Sequence, residues 1–409
     1  MTHGNFPKNV LSCPVMILSK PFRIGMIIGL ILALFVPGVF AASQEKILPV
    51  TTGSIYSAAM AADDGWLALA GMPGSVDVYQ KTGASWTWKQ NLVPAESSMV
   101  MPSAMTMNDG MLFLGDASAN VVYGFALKTS TGVWTEFGAF QSADVASGDN
   151  FGASIAATSN LFVVGAKEKD SKGAVYVFAK QITGKWLQVS KLTSSSCSSS
   201  VCAFGSSVAM NATGSVIVIG APDDSGSRLE VFLQRTGGTL PTFSHAKTLL
   251  PPSSSVNVKC FGRSVATNDN GNVIVGGSSC EDTFAVGAGA AHVFAKTTLF
   301  PSWRFIDTLS APEPMMSDAF GTSVAILGNT IAVGAPSSDL AATNAGAAFV
   351  YTKGASHWSW NSTFTAADAA VASTMSDAFG SAVLLPSASS ILSLSPYKDG
   401  IGAAYDDAR

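Results

Sequence analysis

The sequence predicts an all-β fold: a seven-bladed β-propeller of four-stranded blades whose ring is closed by an N-terminal strand. Three observations lead to this prediction. One pattern of short apolar strands recurs seven times along the chain, the last copy stops after its third strand, and a spare strand-like segment precedes the first copy. Repeats of this length are typical of folds in which neighbouring units bury each other's apolar faces.

The first two strands of each copy carry the clearest repeat. Five copies open with Phe-Gly, and two earlier copies have lost that pair but align with the others without a gap. Each copy is interpreted as a short strand, a polar or small-residue turn, and a second apolar strand that closes on Gly or Ser. The copies start near residues 55, 101, 151, 204, 261, 320 and 379.

A third and a fourth strand follow in the same order. The third is apolar and aromatic along its length, as in GSVDVYQK from Gly74, which predicts a strand buried between neighbouring sheets. The fourth carries one aromatic residue per copy, which favours packing over ligand binding. These aromatics are Trp86, Trp134, Trp186, Phe243, Trp303 and Trp358. By the two-residue period of a strand, the pairs Trp86/Trp88 and Trp358/Trp360 are the aromatics expected to be exposed.

The two ends of the repeat array complement each other. The seventh copy lacks a fourth strand, whereas residues 44–50 resemble the tail of one and precede the first copy. Pairing the two would complete the last blade and leave no unpaired strand edge in the ring. We therefore expect the propeller to occupy residues 42–409.

Residues 1–41 predict a signal peptide or a signal anchor. Three basic residues precede an uncharged apolar run, residues 24–35, and small residues follow it at a candidate cleavage site after Ala41. The run is shorter than the roughly 20 residues of a membrane span. The basic region before it is long for a signal peptide, so an uncleaved type II membrane anchor stays open. Both alternatives place the propeller outside the cell.

Composition narrows the classes of partner. Only 12% of residues are charged and the formal net charge is −4. The basic residues are scattered, whereas a nucleic-acid-binding protein needs a clustered basic face. No Ser-His-Asp order, paired-carboxylate cluster or phosphate-cradling loop emerges from the sequence. The expectation is therefore no catalytic residue, no cofactor, no metal and no nucleic acid partner.

Four cysteines follow the signal segment, an even number that suggests disulfides in a secreted chain. Because blade strands alternate in direction, the loop that leads into a blade lies on the same face as that blade's second-to-third loop. Cys260 and Cys280 occupy those two loops of one copy and are expected to pair. Cys197 and Cys202 flank one Ser-rich loop and are expected to pair as well. A four-thiolate metal site is the alternative.

Two sequons, at Asn211 and Asn361, are candidate glycosylation sites in a secreted chain. A second recurrent polar position lies two residues before the repeat Phe, at Asp149, Asp318 and Asp377. Because Asp side chains accept hydrogen bonds from nearby backbone N–H groups, these residues are interpreted as turn caps rather than ligand contacts.

The repeat resembles the FG-GAP repeats of integrin α-chains. Phe-Gly opens the unit, and Gly-Ala-Pro follows the second strand at residues 220–222 and 334–336, with degenerate forms at 71–73 and 165–167. The resemblance covers essentially all of residues 44–409 and implies an extracellular propeller used for adhesion and ligand recognition. Integrin α-chains also bind calcium in some blades through Asp-rich loops. The corresponding turns here are too short for the six or more oxygen ligands of calcium and favour tight hairpin turns.

The expected function is that of an extracellular, non-enzymatic binding or adhesion propeller that recognises a protein or glycan partner. Length differences among the copies concentrate in the loops that lead into blades and in the second-to-third loops, such as 279–286 and 337–344. Loops on a rigid scaffold commonly carry function. A secreted carbohydrate-active enzyme and a structural component of the cell surface or matrix are the alternatives.

Overall fold

A computed structural model of the chain describes residues 44–49, 59–71, 74–96, 100–197, 202–222, 226–238, 240–258, 260–369, 377–400 and 402–408. The predicted signal or anchor segment, residues 1–41, lies outside this part, as does the start of the first copy. The described residues form seven four-stranded antiparallel sheets, which are the blades of a propeller. None of their helices is long and apolar enough to cross a membrane.

Blades 1 to 6 each take four consecutive strands, beginning with β2, and blade 7 takes β26, β27, β28 and β1. The strands are β1 Gln44–Ile47, β2 Met60–Asp63, β3 Trp66–Gly71, β4 Ser75–Thr82, β5 Ser85–Leu92, β6 Ala104–Asn108, β7 Met111–Asp116, β8 Val121–Lys128, β9 Val133–Phe140, β10 Phe151–Ala157, β11 Leu161–Ala166, β12 Ala174–Lys180, β13 Trp186–Leu192, β14 Ser207–Met210, β15 Val216–Ala221, β16 Arg228–Arg235, β17 Thr242–Leu249, β18 Ser264–Thr267, β19 Val273–Ser278, β20 Ala290–Ala295, β21 Arg304–Leu309, β22 Ser323–Leu327, β23 Thr330–Ala335, β24 Ala347–Lys353, β25 Trp358–Phe364, β26 Ala382–Ser387, β27 Ser390–Ser395 and β28 Ala403–Ala408. Two 3-10 turns, Lys169–Ser171 and Lys398–Gly400, complete the set.

The hydrophobic core lies between blades rather than at the centre of the ring. Seven clusters of buried residues each join the middle strands of two neighbouring blades. The second strand is therefore covered on both faces, and β3 and β11 are buried at every position. This double burial explains why the second and third strands are apolar along their length instead of alternating.

Glycines at the junctions let neighbouring backbones touch. In five junctions, a Cβ added to the Gly near the end of the second strand would lie 1.9 to 2.2 Å from a backbone oxygen of the next blade. That oxygen belongs to the Gly of the next Phe-Gly pair, so two repeat glycines meet across each junction. The pairs are Gly115/Gly152, Gly165/Gly205, Gly220/Gly262, Gly277/Gly321 and Gly334/Gly380.

A serine hydrogen bond reinforces four of these junctions. Ser264 Oγ donates to the backbone oxygen of Gly321 at 2.8 Å, and Ser154, Ser207 and Ser323 make the same bond at three other junctions. Each serine lies three residues after its repeat Phe. The Phe-Gly-x-Ser pattern therefore joins each blade to the next one.

The Phe-Gly pair itself lies before the first strand in most blades, not within it. Only β10 begins at its repeat phenylalanine, Phe151; β14, β18, β22 and β26 begin three residues later. All five repeat phenylalanines are fully buried. Phe204, Phe320 and Phe379 form isolated parallel bridges to a glycine of the preceding blade. The glycine after each of them donates its N–H to the second strand of its own blade, so the pair links the two blades.

Blade 7 contains both the first and the last described strand. β1 pairs antiparallel with β28, with Gln44 opposite Asp407 and Ile47 opposite Ala404. Ile47 is 4% exposed and belongs to the cluster between blades 7 and 1. The Lys46 ammonium lies 2.5 Å from the Asp368 carboxylate, in the loop that connects blades 6 and 7. β1 thus contacts the cores or loops of three consecutive blades.

Asp407 is a buried carboxylate at this closure. One of its oxygens accepts a hydrogen bond from Gln44 Nε2 at 2.7 Å, whereas Oδ2 is buried without a hydrogen-bond partner among the described residues. Burial is the main cause that raises the pKa of Asp407, and the neighbouring Asp406 adds to it against the Gln44 hydrogen bond, to about 7.

We expect Asp407→Asn to stabilise the protein at pH 8. The folded state holds the Asp407 proton more tightly than the unfolded state, so the wild type loses stability as pH rises from about 4 to about 7 and then levels off. The amide carries no charge, so this loss disappears. The variant should gain about 4 kcal/mol at pH 8 and little at pH 4, as measured by denaturant unfolding across pH. An equal change in the free energy of unfolding at both pH values would contradict the raised pKa of Asp407.

Candidate interaction face

The antiparallel order of the strands sorts the connections onto two faces. One face carries the inter-blade loops and the second-to-third loops of every blade; we call it the loop face. The other carries the first-to-second and third-to-fourth connections; we call it the turn face. The strand bounds make residues 279–289 and 336–346, in blades 5 and 6, the longest of the second-to-third loops, against residues 117–120 in blade 2.

A disulfide and a backbone bond hold the blade 5 loop to its own blade. Cys260 and Cys280 are bonded, with their Cα atoms 5.6 Å apart, and this is the pair that the sequence predicts. Beside it, Asp282 N donates to the backbone oxygen of Val256 at 2.9 Å. The inter-blade loop before blade 5 and the second-to-third loop of that blade therefore form one fixed unit.

A buried polar pair anchors the same loop from beneath. The side chains of Glu281 and His292 are both fully buried, and His292 Nε2 lies 2.8 Å from Glu281 Oε2. Burial alone would raise the pKa of Glu281, but the hydrogen bond and charge of His292 outweigh it and hold that pKa below its usual range. His292 also contacts Thr308 Oγ1 through Nδ1, at 3.1 Å. This histidine is therefore a packed strand residue, and it additionally positions the loop.

Exposed apolar side chains cover this unit and extend to the next inter-blade loop. We call them the blade 5 patch. They are Val256, Phe284, Val286, Met315 and Met316. Their exposed fractions run from 43% to 69%. The Ser317 N–H donates to the backbone oxygen of Val286 at 2.9 Å, which ties the methionine-bearing loop to the blade 5 loop. The two loops that carry the patch are thus bonded to each other across the junction of blades 5 and 6.

The loops around the patch concentrate negative charge. Residues 250–263, 279–289, 310–322 and 336–346 contain five acidic and two basic residues, a formal charge of −3, whereas residues 42–409 as a whole carry −7. Among the acidic side chains, Glu313 and Asp339 are exposed. Asp318 is buried, and burial raises its pKa, with the charge of Asp339 adding to the effect.

The second disulfide lies on the same face, between blades 3 and 4. Cys197 and Cys202 are bonded with their Cα atoms 5.8 Å apart, again the predicted pair. The buried Arg228 guanidinium lies 2.8 Å from Cys202 Sγ and 3.2 Å from the nearest oxygen of the fully buried Glu230. Both residues lie on β16, and no pattern in the sequence indicated that they would meet this disulfide.

The recurrent aspartates act mainly as turn caps. Asp149 and Asp318 each accept the backbone N–H of the residue three positions earlier, at 2.7 and 2.8 Å. Asp377 instead binds the buried Lys398 ammonium at 2.9 Å. The predicted capping role is therefore confirmed for the first two. Asp377 forms a buried ion pair, and Asp149 also lies 3.1 Å from the Lys169 ammonium.

Only one residue of each predicted aromatic pair is well exposed. Trp88 and Trp360 are 40% and 38% exposed, whereas Trp358 is buried and Trp86 is half-buried. The expectation was wrong for Trp358 because this side chain packs into the cluster between blades 5 and 6. The two tryptophans of a pair lie on the same side of their strand, as the two-residue period predicts. The first of each pair is buried or half-buried and the second is exposed.

The two sequons differ in accessibility. Asn361 is exposed on the outer strand of blade 6. Asn211 is 3% exposed. Its side-chain nitrogen donates to Thr213 Oγ1 at 3.0 Å, and its oxygen accepts the Val216 N–H at 2.8 Å. The Asn211 side chain therefore closes its hairpin.

We expect a glycan at Asn361 and none at Asn211 in folded protein from a secretory host that glycosylates. A glycan on the Asn211 nitrogen would remove donors from the hairpin and need space where the side chain is buried. Glycopeptide mapping before and after enzymatic deglycosylation measures both sites, and Asn361→Gln should remove the glycan mass. Folded protein with a glycan at Asn211 would contradict this prediction.

Cavities also lie away from the loop face. The first strands of the blades line a central channel of about 300 Å³ with apolar side chains and threonines. On the turn face, a cavity of about 630 Å³ lies at blades 1 and 2 and is lined by Asp63, Asp64 and Asp109. Burial raises the pKa of Asp63, and the nearby Asp64 and Asp109 charges add to it.

The acidic turns at this cavity are tight hairpins, as predicted. Asp64 and Gly65 have φ of 45° and 75°, and Asp109 and Gly110 have φ of 49° and 68°. Positive φ at both central residues defines the turn that Asp-Gly sequences favour. Across the described ranges, no group of three or more His, Cys, Asp or Glu side chains is arranged to hold a metal ion.

Comparison with known proteins agrees with the repeat pattern. The FG-GAP repeat family matches residues 134–178 and 303–351. The first match begins at Trp134 in the outer strand of blade 2, and the second begins at Trp303, one residue before the outer strand of blade 5. Each ends in the third strand of the next blade, so the sequence unit is offset from the blade by one strand. No curated protein matches the chain at a significant level. The chain is therefore a seven-bladed β-propeller that contains FG-GAP repeats.

Proposed function

We propose that this propeller is an extracellular, non-enzymatic binding or adhesion protein that engages its partner through the loop face. The observation that carries the proposal is the blade 5 patch: exposed apolar side chains on long loops that a disulfide and backbone bonds fix to a closed ring. Large exposed apolar patches on a rigid scaffold are typical of interaction sites.

Two further features support an extracellular setting. Both disulfides bridge loops of the propeller, and disulfides persist in oxidising compartments such as the secretory pathway. The basic and apolar segment before residue 42 has the order of a secretory signal or anchor. The partner is then a surface or matrix molecule.

Oriented immobilisation tests the proposal. Residues 42–409 would be coupled to a thiol-reactive surface through Leu299→Cys on the turn face or through Ala341→Cys in the blade 6 loop, both exposed positions. Surface and medium extracts would then be passed over both. Saturable capture of one species by the Leu299→Cys surface, with much less on the Ala341→Cys surface, would support binding through the loop face. Equal capture by both surfaces would contradict it.

A secreted enzyme acting on polysaccharide is the second candidate, and the turn-face cavity is the observation that favours it. A carboxyl with a raised pKa beside other carboxylates is the arrangement that glycoside hydrolysis uses. Asp63 has such a raised pKa, and its Oδ2 accepts the Asp109 N–H at 2.7 Å. Hydrolysis of a polysaccharide panel that is lost in Asp63→Asn but kept in Asp339→Asn would favour this candidate over the binding function.

A further inference from the structure

We propose that the blade 5 patch binds a cationic amphipathic polypeptide segment, in which Lys or Arg side chains alternate with apolar ones. This inference rests on the proposed function and adds the chemistry of the partner. Two properties of the patch support it independently: its apolar surface and the sign of the charge around it.

The apolar part favours side chains that can be desolvated. The patch presents aliphatic, aromatic and methionine side chains, and Phe284, Val286 and Met316 are 45%, 65% and 69% exposed. Methionine is flexible and polarizable, so it adapts to partners of different shape. The loops beneath are already fixed by the Cys260–Cys280 disulfide, so little ordering cost remains for binding. A polyhydroxylated glycan would find no side-chain hydrogen-bonding group among the five patch residues.

The acidic residues around the patch favour a partner of positive charge. The four surrounding loops carry a formal charge of −3, which is a large share of the −7 of residues 42–409. Glu313 and Asp339 are exposed beside the apolar side chains, and Asp282 is half-buried. Complementary charge around an apolar centre speeds association and excludes partners of the same sign. A basic segment therefore fits this surface, and an acidic one is repelled.

Two matched peptides test the inference on the folded propeller, residues 42–409. One is a short fluorescent peptide of Lys, Leu and Phe, and in the other Glu replaces every Lys. Anisotropy titrations would use the wild type, Val286→Ser/Met316→Ser, and Glu313→Gln/Asp339→Asn. We expect saturable binding of the basic peptide that weakens with added salt, and about tenfold weaker binding in each double variant. The acidic peptide should not bind.

Control variants on the turn face separate this site from general attraction to an acidic protein. Ile182→Ser/Leu299→Ser removes apolar side chains that are even more exposed, and Asp64→Asn/Asp109→Asn removes the same amount of charge. We expect both controls to bind like the wild type. Binding that the controls reduce as much as the patch variants do, or equal binding of the acidic peptide, would overturn the inference.

The outcome is distinguishable from that of the oriented-capture experiment. One outcome is that the loop face captures a partner while the patch variants bind the basic peptide as tightly as the wild type does. In that case the inference of a cationic partner is wrong and the proposed binding function stands. If the two immobilised orientations capture equally, the binding function fails whatever the peptides do. A patch that mediates contact with a second copy of this chain would show self-association lost in Val286→Ser/Met316→Ser, and that result would also overturn the inference.

Discussion

Removing β1 is expected to open the ring and destabilise the protein by about 4 kcal/mol or more. A chain that begins at residue 49 loses the buried Ile47 side chain, the ladder to β28, and the contacts of Gln44 and Lys46 with blade 6. Burial of one Ile is worth about 1.5–3 kcal/mol, and the unpaired backbone and polar groups add to that. The exposed edge of β28 should also promote aggregation. Denaturant unfolding and light scattering measure the two effects against a chain that begins at residue 44.

Adjacent substitutions provide the matched control for closure. Ile47 is 4% exposed and Leu48 is 43% exposed. We expect Ile47→Ala to cost about 2–4 kcal/mol and Leu48→Ala less than about 1 kcal/mol. A synthetic peptide of residues 42–49, added in trans, should restore stability to the chain that lacks β1. Equal stability of the two truncated chains would mean that β1 does not close the ring.

The second large effect is expected at a junction glycine. In Gly334→Ala, the new Cβ would lie 1.9 Å from the backbone oxygen of Gly380 and 2.4 Å from Ser323 Oγ. That oxygen also accepts the Ser323 hydrogen bond at 2.8 Å, so the junction of blades 6 and 7 must separate and lose the bond. We expect a loss of about 3 kcal/mol or more in the free energy of unfolding.

Gly328→Ala, in the same blade, separates this crowding from the general effect of replacing a glycine. Gly328 has a φ of +56°, but no atom lies within 4 Å of its added Cβ. The cost there should be only the backbone strain of about 1 kcal/mol. If Gly334→Ala cost no more than Gly328→Ala, the close packing of repeat glycines would not be what holds the blades together.

The fold could be predicted from the sequence because each copy repeats the same strands and turns. Seven imperfect copies reinforce one another, and the missing strand at one end matches the spare strand at the other. The bridge between Cys260 and Cys280 was predictable for the same reason, since alternating strands put their loops on one face. The reason for the Ser in Phe-Gly-x-Ser was not predictable, because its partner is a backbone oxygen of the next blade.

The sequence predicted which face of the ring carries the candidate site, but not which side chains are exposed there. The sequence indicated the long loops 279–286 and 337–344, but the exposure of Val286 and Met316 depends on how the loops fold against one another. Trp358 was expected to be exposed but is buried, because the packing of the neighbouring blade determines whether a strand residue is covered. The raised pKa of Asp407 likewise depends on ring closure, which places the carboxyl beneath β1.

Hydrogen exchange with and without the captured partner tests the central claim, binding through the loop face, most directly. Backbone amides would be followed by mass spectrometry in the blade 5 loop, residues 279–289, and in a turn-face connection of the same blade, residues 296–303. Binding through the loop face predicts slower exchange in residues 279–289 and in the neighbouring 313–319, with residues 296–303 unchanged. Protection confined to residues 296–303 or to the turn-face cavity, with the loop face unaffected, would contradict it.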